Sequence, residues 1–378
     1  MANQNIPLAL TFDDVLLKPG YSDFDRSEIS LEANLTTNIR IANPVISSPM
    51  DTVTESRLAI ALANQGGLGI IHRNLSVDDQ ATDVRLVKSE NLPVGAAVGS
   101  SPGYEQRVKA LVEAGVDVIV VDSAHGYTRN VMLAISHIKS KYKVDVIGGS
   151  VATKEGAEAL IDVGADALRV GMGPGAICTT RVVSGMGVPQ LSAIIDTVKV
   201  ARIKNIPVIA DGGISNSGDI VKALAAGAST VMMGRIFAAT EESPGRVFDL
   251  NAEEVPNRFK SIINGAEQYK FKEYRGMGSI AAMKKGVSVS SEDEFHGKSY
   301  KSDDVLIAEG VEGMVPVSGT VKNVVDQITG GVYSGMFYTG ARSIDELWKV
   351  AEFMQITQAS LSESHPHDLY VTGSNLSN

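Results

Sequence analysis

The sequence predicts a closed (β/α)8 barrel. Three observations carry that prediction. From Pro44 to about Ala239 one unit recurs: a short β-branched run, a polar or glycine turn, then a stretch of helical spacing. The runs are apolar throughout rather than alternating, which suits parallel strands buried on both faces. Eight such units fit into about 200 residues, the economy of a closed barrel rather than of an open sheet.

Taken in order, the predicted strands are "NPVISSPM", "LGIIH", "VGAAVG", "VDVIVVDSA", "VDVIGGSV", "ALRVGMG", "PVIADGG" and "TVMMGRIFA". Between them "ESRLAIALANQ", "YEQRVKALVEAG", "KEGAEALIDVG" and "SGDIVKALAAG" repeat apolar residues at helical spacing. Gly115, Gly164 and Gly227 end three of these helices just before the next strand, where a left-handed residue stops a helix. The second helix, in "HRNLSVDDQATDVRLVKS", meets the third strand through the short link "ENLP". Beyond the eighth strand the rhythm stops. From about Ser243 to Lys301 the chain is rich in Gly, Ser, Lys and Glu, and it reads as a long irregular flap flanked by "EYRGMGSIAAM" and "EGVEGMVPVSG". The expected organisation is one catalytic domain over 1–378, with the barrel at about 44–240 and the flap at about 272–320.

Composition narrows the function. A formal charge of −10 disfavours nonspecific nucleic-acid binding. The longest apolar runs are of strand length, so no membrane partner is expected. The opening "MANQNIPLALTFDDVLL" lacks the basic-then-apolar plan of a secretory signal. One cysteine in 378 residues rules out a disulfide framework and a multi-cysteine metal centre, and it fits a reducing, cytoplasmic setting.

In a barrel of this kind the chemistry sits where strands end. Those ends read "SSPMD", "DSAHG", "GGS", "GMGPGAICTTR", "DGG" and "MGR". Cys178 is either a small buried hydrophobe or a nucleophile set in a glycine loop that a ligand can approach closely. Thr179, Thr180 and Arg181 follow it. Asp211 is either a turn former or a carboxylate for ribose hydroxyls, beside backbone amides suited to phosphate. Asp122 reads as a strand-end cap or a ligand group, and His125 as a structural hydrogen-bonder. His365 and His367 lack an obvious third ligand for a transition metal.

These stretches resemble the IMP dehydrogenase/GMP reductase superfamily in order: "TFDDVLLKPGYS", "SSPMDTVTE", "GGLGIIHRN", "VDSAHG", "GMGPGAICTTR", "GVPQLSA", "DGGI", "TEESPG", "YRGMGS", "EGVEG" and "ESHPHD". The resemblance implies oxidation of inosine 5′-monophosphate (IMP) with NAD in guanine nucleotide synthesis, through a thioimidate on Cys178, with Thr180 beside it. It further implies that Ser48, Met50, Arg181, Asp211, Gly213, Met233, Gly234, Arg235, Tyr274, Met277, Gly278 and Glu309 enclose the nucleotide. Asp122, Ser123, Gly171 and Gly173 would meet the dinucleotide. A potassium ion would take Gly173, Gly175 and Cys178, with Glu363, Ser364 and His365 lent by a neighbour in a homotetramer. The paired regulatory CBS modules that the family inserts after the second helix are missing at about 89–93, where only "ENLP" stands.

Three departures qualify the match. Ala176 stands where the family has a phosphate-contacting serine, and Arg235 where it has a small residue. Arginine meets phosphate through charge-assisted bonds, so the second change is placed to compensate for the first. The flap also lacks the Arg-Tyr pair that activates water, leaving Lys298 and Tyr300 as substitutes. GMP reductase, which needs no such pair, is therefore the alternative activity, and a nucleotide-binding homologue without turnover is the alternative class. "EGVEGMVP", "GVPQ" and "ESHPHD" favour the dehydrogenase.

Overall fold

The computed structural model describes residues 6–289 and 306–367, together with the backbone of 294–295 and 298–299. Eight strands form the closed barrel: Val45–Ser47, Leu68–Ile71, Gly95–Val98, Val118–Asp122, Asp145–Val151, Ala167–Val170, Val208–Asp211 and Thr230–Met233. Each lies inside its expected run. All are parallel, and the eighth pairs with the first through Val231 opposite Val45 and Met233 opposite Ser47.

Both faces of the strands are apolar because both are covered. Val118 and Val120 point into the barrel among Ile46, Leu68, Ile70 and Ile209. Ile119 and Val121 point outward into the layer shared with the helices. Burying each such side chain contributes about 1.5–3 kcal/mol relative to exposure. Several of the helices begin at side-chain caps: Ser76, Thr153 and Asn216 accept from the backbone N–H groups of Asp79, Gly156 and Asp219. Gly115, Gly164 and Gly227 all take positive φ, as their positions at helix ends require. On the outside, Gly331 and Gly335 of the long helix Val321–Thr339 let it approach the helix Ser217–Ala225. A Cβ at Gly335 would fall 2.6 Å from Val221 Cγ2.

Two features went unanticipated. A hairpin of Ala33–Asn34 with Arg40–Ile41 closes the amino-terminal end of the barrel, its Leu35 and Ile41 joining the inner core. The chain after the eighth strand is also far more built than its composition suggests. Val247–Leu250, Tyr269–Arg275 and Glu312–Pro316 form a three-stranded antiparallel sheet, and Ile280–Ser288 is a helix. The flap assigned to about 272–320 thus has a sheet and a helix for its base. The charged residues of "YKFKEYR" obscure its alternation, in which Tyr269 and Phe271 pack with Val255 into a small core. Lys272 in that strand is buried, its Nζ bonded to the Glu241 carbonyl at 3.1 Å, the Ser243 carbonyl and Ser243 Oγ at 3.0 Å.

An ion pair fixes this sheet to the barrel. Arg275 donates from Nε to Asp51 Oδ1 at 3.0 Å and from Nη2 to Oδ2, and its backbone N–H bonds Thr52 Oγ1 at 3.2 Å. Burial by itself would raise the Asp51 carboxyl, but the bonds and charge of Arg275 outweigh it and hold the group below the usual range. A carboxyl depressed in the folded state stabilises fully above its unfolded pKa of about 4 and loses that contribution as pH falls further. Asp51→Asn should therefore cost about 3 kcal/mol at pH 7 in urea titrations. The gap to the unmodified protein should narrow below about pH 4.

Candidate active site

The inner core and the site share one periodicity. Ile46, Ile70, Ala97, Val120, Ile147, Ala167, Ile209 and Met232 point into the barrel. Two residues further along each strand, on the same face, come Ser48, His72, Gly99, Asp122, Gly149, Arg169, Asp211 and Gly234. This ring is polar or side-chain-free where the layer beneath it is apolar, and it forms the floor of the carboxyl-terminal mouth.

Arg169 dominates the floor. Its Nε donates to Asp211 Oδ2 at 2.7 Å and its Nη1 to Asp122 Oδ1. Arg73 approaches Asp122 from the other side at 3.8 Å. Burial raises Asp211 above the usual carboxylate range, and Arg169 offsets this only in part. Asp122 is penalised by burial as well, but Arg169 and Arg73 together hold it below that range. Asp122 is thus an ion-paired carboxylate rather than a strand-end cap. Arg169 was missed in the sequence. The available signal was a lone charge at an inward position in the otherwise apolar run "ALRVG".

The thiol sits at the rim. Cys178 is half-buried, and backbone bonds fix its own position in the loop. Its N–H donates to the Gly175 carbonyl at 3.0 Å, and it bridges Gly310. Thr179 N–H bonds the Glu309 carbonyl at 3.0 Å and Val311 N–H the Ile177 carbonyl at 3.0 Å. The motifs "ICTT" and "EGVEG" therefore run side by side. Through that pairing a side-chain relay forms: Cys178 Sγ donates to Thr180 Oγ1 at 3.2 Å, and Thr180 Oγ1 donates to Glu309 Oε2 at 2.9 Å. Glu309, expected to enclose the nucleotide, ends a chain of hydrogen bonds that starts at the thiol.

Gly171 has no alternative, since a Cβ there would fall 2.1 Å from the Asp211 carbonyl. Arg181 belongs to the same loop as Cys178. Its Nη2 bonds the Val188 carbonyl at 2.6 Å and its stem covers Gly173 and Gly187, so it staples the loop it belongs to.

Across the mouth, Met50, Gly234 and Tyr274 converge. A Cβ at Gly234 would fall 2.7 Å from the Tyr274 hydroxyl and 3.0 Å from Met50 Sδ. Burial, with Asp211 and Cys178 nearby, pushes the Tyr274 phenol well up despite the opposing charge of Arg235, so it stays a hydrogen-bond donor. Ser48 and Met233 are buried beside it, with Ser48 N–H on the Met233 carbonyl at 3.1 Å. Gly213 lies against Pro174, and Gly278 accepts Glu309 N–H at 3.1 Å beside half-buried Met277. Arg235 bonds the Ser215 carbonyl at 3.1 Å. Burial pulls its pKa down and the like charge of Arg258 adds to this, against weaker support from Tyr274 and Asp219.

Ser123 turns its hydroxyl to the His125 backbone carbonyl at 3.1 Å, a turn contact. Glu363, Ser364 and His365 are exposed on the tail, where Ser364 Oγ donates to the Ser360 carbonyl at 2.8 Å and His365 Nδ1 lies 3.0 Å from the Leu361 carbonyl. Tyr300 lies outside the described residues, as does the side chain of Lys298. Among the described residues no three His, Cys, Asp or Glu side chains gather as a metal site, and no helix is long and apolar enough to cross a membrane.

The chain matches the profile of the IMP dehydrogenase / GMP reductase domain over residues 9–367. It is 44% identical to inosine-5'-monophosphate dehydrogenase of Cryptosporidium parvum, with 98% of each chain covered. With the protein of the same name from Borreliella burgdorferi it is 43% identical, covering 98% of this chain and 99% of the relative. With that of Rhodopirellula baltica it is 38% identical, covering 97% and 87%.

Proposed function

The chain belongs to the IMP dehydrogenase / GMP reductase family, and on that premise we propose that it oxidises IMP to xanthosine 5′-monophosphate with NAD+ and water, in guanine nucleotide synthesis. The observation that carries this reading is the Cys178–Thr180–Glu309 relay in a glycine loop at the mouth of the barrel. Thr180 takes the thiol proton while its own passes to Glu309, and the thiolate adds to C2 of the purine. NAD+ supplies a hydride acceptor for the hydrogen on C2. Glu309 yields that first proton to solvent, which is the H+ of the overall balance. Water then opens the thioimidate left on Cys178: one of its protons passes to Glu309 and back through Thr180 to the departing sulfur, giving the thiol, and the other stays on the purine nitrogen. Atoms balance as IMP, NAD+ and H2O giving xanthosine monophosphate, NADH and H+.

The remaining groups bind and orient. Asp211 uses Oδ2 for Arg169, which leaves Oδ1 for ribose hydroxyls. Tyr274 and Met50 bound the nucleotide on the far side. The dinucleotide would lie over Asp122, Ser123 and the side-chain-free edge at Gly171 and Gly173. By the family resemblance a monovalent cation would take the carbonyls of Gly173, Gly175 and Cys178, neutral oxygens on the loop that carries the thiol. One free thiol in the chain suits a cytoplasmic enzyme.

Absence of the CBS pair is supported by length. The alignment with the Rhodopirellula baltica relative runs over 493 positions against 378 residues here, and the helix Val77–Ser89 passes almost directly into the strand Gly95–Val98. A homotetramer is supported by Val182 and Met186, 86% and 60% exposed beside the catalytic loop, which a neighbouring subunit would cover. Removing residues from Glu363 onward should lower activity and abolish its potassium dependence. A fully active truncated monomer would exclude the shared cation site.

Arg235 is a half-buried cation whose surroundings disfavour its charge, and a phosphate would relieve that. Arg235→Ala should raise KM for IMP by the equivalent of about 1.5–3 kcal/mol and leave inosine unaffected. Equal losses for IMP and inosine would assign it another role. The activity itself is tested with purified protein in two mixtures, IMP with NAD+ and GMP with NADPH. NADH formation with xanthosine monophosphate in the first mixture supports the dehydrogenase. NADPH consumption and ammonia release in the second, with nothing in the first, would make it a reductase.

A further inference from the structure

We propose that Arg169 is a positioning residue that couples the nucleotide and dinucleotide subsites. This rests on the reading of Asp211 and Asp122 as facing those two ligands. The register shows how one side chain spans both. Asp122 lies opposite Gly149, and Gly149 lies opposite Arg169, on three neighbouring strands. A Cβ at Gly149 would fall 2.7 Å from Arg169 Cβ, so only the bare glycine lets the arginine lie across the fifth strand to reach Asp122. Its other edge meets Asp211, two residues beyond Ile209, the register partner of Arg169.

A guanidinium is planar and rigid, so its donors cannot be aimed independently. When Nε is fixed on Asp211, Nη1 is fixed on Asp122 as well. A ligand that orders one carboxylate therefore orders the other before the second ligand arrives. Whatever restriction the first ligand imposes need not be imposed again, which is positive coupling between sites. The charge balance sharpens this. Among the described residues Asp122 has two arginines, Arg169 and Arg73, whereas Asp211 has Arg169 alone. Ribose hydroxyls donated to Asp211 would lessen its demand on the shared guanidinium and leave Arg169 firmer on Asp122.

The test uses the Cys178→Ala protein, which binds without turnover, and isothermal titration of NAD+ with and without saturating IMP. IMP should tighten NAD+ at least about fivefold, the lower range of measured couplings. Adding Arg169→Lys keeps the charge but not the two-edged geometry, and the factor should fall to within about twofold of unity. Asp122→Asn in the same background should also collapse the factor while the Kd for IMP alone stays within about twofold, which covers the case of Arg169→Lys failing to fold. A factor unchanged in either variant, or no coupling in the Cys178→Ala protein, overturns the proposal alone. Failure of that protein to bind either ligand overturns the functional reading and the proposal with it.

Discussion

Cys178→Ala is expected to bind IMP normally and turn over on the order of 10⁶-fold more slowly, the scale of losing a covalent nucleophile. The substitution is structurally mild. The loop is held by the Cys178 N–H on the Gly175 carbonyl, the bridge to Gly310 and the bond from Thr179 to Glu309, all backbone contacts that alanine keeps. What it removes is the sulfur that donates to Thr180. Denatured mixtures of the unmodified protein with IMP and NAD+ should carry a nucleotide adduct on Cys178, and those of the variant none. Near-normal turnover by the alanine protein would refute covalent catalysis.

Glu309→Gln is expected to slow hydrolysis about 10²–10⁴-fold, the usual worth of general-base assistance, while sparing binding. Glutamine still accepts the Thr180 hydroxyl bond, and the backbone bonds of residue 309 to Thr179 and Gly278 are untouched. It cannot take up a proton. Rapid mixing should therefore show both the first NADH and steady turnover slowed, because the same carboxylate receives the thiol proton and the water proton. A first turnover at the normal rate with slowed steady turnover would place Glu309 in water activation alone. Unchanged steady turnover would assign the base to the flap, the region of Lys298 and Tyr300.

The barrel was legible because strand and helix alternate with unmistakable punctuation: eight apolar runs, glycine stops, and short links between them. Cys178 and Asp211 were legible for a related reason, since each stands at a strand end among glycines that leave few structural uses for a reactive side chain. Arg169 was not, because a single arginine in a strand has no local signature. Its meaning arises only when Gly149 clears its path and two aspartates from other strands converge on it. The role of Glu309 was hidden likewise, since its partner Thr180 lies 129 positions away. The sheet after the barrel was obscured by its own lysines. Lys272 sits in a buried strand because carbonyls of Glu241 and Ser243 replace the water that its ammonium would otherwise need.

The most direct measurement of the central claim is stopped-flow mixing of the unmodified protein with IMP and NAD+, with the nucleotide product identified in the same samples. With no Arg-Tyr pair in the flap sequence and the Thr180–Glu309 relay proposed as the base, thioimidate opening should limit turnover. NADH should then appear in a burst matching the concentration of sites, followed by slower steady formation, with xanthosine monophosphate accumulating at the steady rate. No NADH with IMP, alongside oxidation of NADPH by GMP, would contradict the account.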